Sequence, residues 1–133
     1  MDHIPLFNPD PVEISCSCQD VLPAGVVEGL RLFNSGEYFQ AHEVLEDVWR
    51  EQRRPIRELY RGILQVAVAY YHQNRGNLIG ARKMFRRSQV WLRVFPDTCQ
   101  GINLAQFRQD FKAVQALVER FRPGQIIEFD HTL

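Results

Sequence analysis

Apolar residues recur along this chain at the three- and four-residue spacing of helices, and prolines and glycines punctuate the pattern where each helix starts or stops. Pro23 can open the first predicted helix, in which Val26, Val27, Leu30 and Phe33 recur before Asn34, Ser35 and Gly36 end it. The second is predicted over 37–51. Pro55 falls in the first turn of the third, where its missing amide hydrogen is harmless, and Gly76 closes it. Asn77 caps the fourth, which stops by Pro96 because the residue before a proline is pushed out of helical backbone. Asn103 with Gln106 resembles a capping box, and Leu104, Phe107, Phe111, Val114, Val118 and Phe121 give the fifth an apolar stripe. The expected fold is all-α, a compact bundle of about five helices spanning 21–122. An extended N-terminal arm is expected over 1–20, where Pro5, Pro9 and Pro11 break any period, and a short C-terminal tail containing IIEF over 123–133.

The second predicted helix contains HEVLEDVW, residues 42–49. On a helical wheel Tyr38, Phe39, Leu45 and Trp49 define its apolar face, and His42 and Glu46 fall in the middle of it. Gln40, Glu43, Asp47 and Arg50 take the solvent side. A carboxylate among apolar neighbours is costly unless it is protonated, hydrogen-bonded, ion-paired or bound to a cation. His42 can be that partner directly, since residues four apart are neighbours on a helix. Imidazole and carboxylate at this spacing can equally reach one divalent ion, which makes His42 and Glu46 candidate metal ligands; two ligands alone make a weak site.

The short connection around 53–55 makes the second and third helices antiparallel neighbours, so Glu46 is expected near the level of Gly62, and His42 near Gln65 and Val66. The third helix is apolar over most of its circumference and is expected to be central. Its polar strip holds Glu58, Arg61, Gln65 and His72. Glu58 and Arg61 read as a solvated edge, whereas Gln65 and His72 are candidates to complete or orient the His42 and Glu46 site, with Gly62 and Ala69 letting the backbones approach. His72 lies about 9 Å further along the axis, which ranks it below Gln65. The stretches GEYFQAHEVL and GNLIGARKMF also echo one another, with glycine and alanine placed as in helical-hairpin repeats of the tetratricopeptide kind, although two copies are too few for a solenoid.

The HEVLEDVW stretch, with FNSGEYFQA before it and GILQVAVAYYHQNRGNLIGA after it, resembles the bacterial and archaeal domain of unknown function family 309. That family is marked by a histidine, a glutamate four residues later and an aromatic three beyond, here His42, Glu46 and Trp49. The resemblance covers about 30–95. Its second block matches at Gly62, Gln65, His72, Gly76, Asn77, Gly80 and Ala81. It implies an all-helical fold and a metal-binding motif, with no activity established. HEVLE is not the metalloprotease pattern HExxH, because Glu46 stands where that pattern needs its second histidine.

Composition adds limits. With 133 residues, 45% of them hydrophobic and 24% charged, the chain is long enough for one globular core. No apolar run reaches the length of a membrane span, and the acidic, proline-rich opening MDHIPLFNPDPVE lacks the basic start of a secretory signal, so a cytoplasmic location is expected. Cys16, Cys18 and Cys99 are odd in number and contain no CxxC; Cys16 and Cys18 read as reduced thiols in the arm. Net charge is zero but segregated. Arg31 and Arg50 are the only basic residues in 1–51, whereas Arg61, Arg75, Arg82, Lys83, Arg86, Arg87 and Arg93 face no acid between Glu58 and Asp97. That asymmetry invites a homo-oligomer or a protein partner. Tyr60 and Tyr71 read as exposed aromatics that favour the same view. Arg82, Arg86 and Arg93 form a basic stripe, but zero net charge and the absence of a recognised motif argue against a nucleic-acid ligand. Two function classes stand: a helical domain with a divalent-metal site on His42 and Glu46, hydrolytic if the ion activates a water, and a non-enzymatic interaction module in which the pair is a structural polar lock.

Overall fold

The computed structural model describes residues 7–121, and the expected C-terminal tail lies outside them. In chain order the described residues form α1 (Pro11–Ser17), α2 (Ala24–Asn34), α3 (Tyr38–Glu51), α4 (Arg57–Asn74), α5 (Leu78–Leu92), β1 (Thr98–Cys99), β2 (Ile102–Asn103) and α6 (Leu104–Arg120). Among the described residues the protein is all-α apart from one short antiparallel hairpin in which Thr98 pairs with Asn103 and Cys99 with Ile102.

The helices begin and end for local reasons. Gly36 and Gly76 stand just past α2 and α4 in left-handed backbone, φ 83° and 76°, which glycine alone adopts without a steric penalty. The amide of the next residue then reaches back to the last turn, Glu37 N to Leu32 O at 2.9 Å and Asn77 N to His72 O at 2.8 Å. Both stops feed directly into the next helix, so α2–α3 and α4–α5 are two equivalent hairpins. This is the structural content of the sequence echo: Tyr38, Ala41 and Leu45 of α3, like Leu78, Ala81 and Phe85 of α5, are almost wholly buried. Asn77 caps α5 through the Gly80 amide at 2.9 Å, and Asn103 caps α6 through the Gln106 amide at 3.1 Å. The Gln106 side chain turns to Asp110 instead of returning to Asn103, so only half of the expected box forms.

Helix α4 is central, as its apolar circumference predicts, with Leu59, Tyr60, Ile63, Val66, Ala67, Ala69 and Tyr70 buried. Tyr60 is therefore no surface aromatic. Its hydroxyl donates to Gln100 Oε1 at 2.8 Å, and burial pushes its ionisation upward. Gly62 closes on α5, where an added Cβ would stand 2.5 Å from Leu92, and does not line the approach to α3.

Two expectations about the amino-terminal arm fail. Residues 11–17 are helical, because the Asp10 carboxylate accepts the Val12 amide at 3.0 Å and Pro11 occupies the first turn, where proline is favoured. Ile14 and Ser17 are buried, with the Ser17 hydroxyl held by Arg54 at 2.9 Å. Cys18 is likewise not a free thiol: it forms a disulfide with Cys99 across 81 residues of sequence, leaving Cys16 free and exposed. Cysteine spacing could not show this bond, since only the folded chain brings the two residues together.

Candidate functional site

Helix α3 holds the expected pair one turn apart. His42 Nε2 lies 2.9 Å from Glu46 Oε2, and Arg50, a further turn along, pairs with Glu46 Oε1. The side chains of His42 and Glu46 are 25% and 28% exposed, so the pair sits on the shoulder of the helix and not in the middle of its buried face. Phe39, which the helical wheel places on the apolar face, is 47% exposed. The true core line is Tyr38, Ala41 and Leu45, and the desolvation of Glu46 is correspondingly smaller.

His42 Nδ1 and Gln65 Oε1 are both buried without a hydrogen-bond partner among the described residues. No hydrogen bond joins Gln65 to His42 or Glu46 there. His72 turns the other way. Its Nδ1 is 3.4 Å from Asn77 Nδ2 and its ring packs against Gly80 at the start of α5, while burial first and Arg75 second make the imidazole harder to protonate. Tyr71 of α4 meets the start of α3 on this side, with its ring 5.4 Å from Phe39; Phe39 in turn lies 5.7 Å from the His42 ring. Beside them Gly36, Glu37, Tyr38, Phe39, Gln40, Tyr71 and Asn74 line an open cleft of about 440 Å³.

Trp49 belongs to a different cluster. Its indole Nε1 donates to Glu58 Oε1 at 3.4 Å, and the guanidinium groups of Arg57 and Arg61 lie 4.3 Å and 4.6 Å from its ring. Glu58 and Arg61 are thus not a solvated edge. Glu58 is 7% exposed and pairs with Arg61 Nε at 2.7 Å. The sequence does carry the signal, an acid and an arginine three residues apart facing a tryptophan of the antiparallel neighbour, but a polar strip looks solvated until the flanking helices are in place.

The basic stripe of α5 is largely occupied. Arg82 donates to the Val118 carbonyl at 2.9 Å and 3.1 Å and also to that of Phe121, Arg86 pairs with Glu119 at 2.9 Å, and Arg93 reaches the Phe7 carbonyl at 3.3 Å. These arginines tie the end of α6 and the amino-terminal segment to α5, a use of cations that suits a helix carboxyl end. No group of three or more His, Cys, Asp or Glu able to hold a metal ion occurs among the described residues, and none of the described helices is long and apolar enough to cross a membrane.

A family model described as domain of unknown function (DUF309) matches residues 26–84. The chain is 28% identical over 95 residues to an uncharacterized protein of Aquifex aeolicus (strain VF5) and 42% identical over 53 residues to the uncharacterized protein YpuF of Bacillus subtilis (strain 168). These alignments cover 71% and 39% of this chain, but only 28% and 30% of the two relatives.

Proposed function

Since residues 26–84 belong to the domain of unknown function family DUF309, we propose that this domain is a non-enzymatic protein-interaction module in which His42 and Glu46 form a structural polar lock. The observation that carries the reading is the mutual satisfaction of the pair: His42 holds one oxygen of Glu46 and Arg50 the other, so helix α3 itself supplies the partners that its carboxylate requires. The lock braces the first turns of α3, where half-exposed Phe39 and the Tyr71 ring flank the open cleft. The occupant that fits is a peptide segment of a protein partner with an apolar side chain, because two aromatic rings at the rim offer apolar surface that water now covers. Covering the exposed half of Phe39 is worth about 1 kcal/mol, about fivefold in affinity. Selection from a displayed peptide library tests this. Enriched peptides should share an apolar anchor and bind Phe39→Ala about fivefold more weakly; no enrichment, or equal binding to the variant, overturns it.

One observation favours a divalent ion instead. The orphaned His42 Nδ1 and Gln65 Oε1 are both atoms that a metal accepts. The fit is incomplete, since the Glu46 oxygens are already held by His42 and Arg50, and an ion taking Glu46 has to displace one of them. His42, Glu46 and Gln65 are the residues that would hold it; such an ion makes a bound water more acidic, which is what a hydrolytic role requires. Metal analysis of protein purified without a histidine tag separates the readings. The polar-lock reading expects no retained ion and no shift of melting temperature with added zinc or manganese, whereas an ion retained by the unaltered chain and lost in both His42→Ala and Glu46→Gln overturns it.

A further inference from the structure

Five side chains from three helices and the amino-terminal segment pack one against the next. Arg57 covers the Trp49 ring at 4.3 Å, Arg61 lies 4.6 Å from Trp49 and 4.2 Å from Trp91, and Trp91 packs 5.5 Å from Phe7. As a pin joining α3, α4 and α5, this ladder needs only the flat faces of the guanidinium groups. Two features go beyond a pin. There are two guanidinium charges against one carboxylate, and Glu58 spends one oxygen on the Trp49 indole while meeting Arg61 as an ion pair that is not an aligned hydrogen bond. The donors in the guanidinium planes are also largely unspent. Arg57 Nε donates to the Trp49 carbonyl at 3.1 Å, but no hydrogen bond or ion pair engages a terminal Nη of Arg57 or Arg61 among the described residues.

We propose that Arg57 and Arg61 form an oxyanion-binding site whose ligand offers a carboxylate or phosphate group to the in-plane edges of the stacked guanidinium groups. A guanidinium held flat by aromatic rings keeps its fork of N–H donors pre-arranged for two parallel bonds to such a group, so little side-chain freedom is lost on binding. The excess positive charge favours an anion. Burial disfavours the charged form of Arg61, Glu58 opposes that and the like charge of Arg57 adds to it, so an incoming anion acts in the same direction as Glu58. The site shares no residue with the polar lock or the cleft, and it stands or falls without them.

The chain has two tryptophans, and both belong to the ladder, so tryptophan emission reports on this site alone. The full chain is titrated with inorganic phosphate and, separately, with succinate, each against sodium chloride at matched ionic strength. A saturating change with phosphate alone identifies a phosphate ligand, with succinate alone a carboxylate, and with both a general oxyanion site. Arg61→Lys keeps the charge but loses the flat fork and should weaken binding about tenfold or more. Should that variant fail to fold, Arg57→Gln, which leaves the Arg61 stack and Glu58 in place, should still weaken binding about fivefold. A response that never saturates beyond the chloride control, or an Arg57→Gln variant that binds as the unaltered chain does, overturns the proposal.

Discussion

A histidine ring folded into the turn between two helices gives up its proton more readily than one in water, and His72 is such a ring, packed against Gly80 and beside Arg75. Its folded pKa lies below 6.5, so between that value and 6.5 the unfolded chain binds more protons and stability rises with pH. The contribution is complete above 6.5 and lost as pH falls through the folded value. Melting temperature followed across mildly acidic pH should therefore climb, and His72→Gln should flatten the climb. Carboxylates of the two clusters differ in weight. Removing Glu46 by Glu46→Gln breaks partly exposed contacts within one helix and costs about 0.5 kcal/mol. Glu58→Gln leaves the Arg61 charge without its counterion and costs about 2–3 kcal/mol, less than a fully buried pair because Arg61 keeps some exposure. Urea titration of both variants checks the ranking, and equal losses contradict it. The pair on α3 was legible from spacing alone. The weightier Glu58 was not, because a residue's burial depends on α3 and α5 flanking it, and nothing in its own helix encodes that.

At the scale of elements, the five longer helices were readable because glycine, proline and asparagine mark their ends through local backbone chemistry. Gly76 shows how strict that chemistry is. An added Cβ there meets nothing within 4 Å, so Gly76→Ala isolates the left-handed backbone and should lower stability by about 1 kcal/mol without disturbing packing. A thermal melt of that variant checks the figure; an unchanged midpoint contradicts the assigned backbone. Helix α1 is hidden in the sequence because Asp10 and Pro11 read as a break in the pattern, although the same two residues serve as cap and first turn. The two-residue strands escaped for a different reason. They carry no period and are placed by what surrounds them: Gln100, between the strands, accepts from Tyr60 and donates through its amide to the Ser17 carbonyl at 3.1 Å.

For the whole molecule, the Cys18–Cys99 bond is the feature least visible in sequence and the one with the broadest reach. A loop of this length can contribute up to about 4 kcal/mol by restricting the unfolded chain. Cys99→Ser, or reduction of the unaltered chain, should lower the urea midpoint accordingly, and thiol counting should find one reactive sulfhydryl in the native protein and three after unfolding in reductant. Three before reduction contradicts the bond. Because cytosolic thiols are held reduced in most organisms, the bridge pulls against the cytoplasmic location expected from composition. The bond also frames residues 26–84, with one cysteine before the family-matched stretch and the other after it. A protease that nicks the chain after exposed Arg53 therefore leaves two fragments that run as a single band on a gel, and come apart only when reductant is added to the sample.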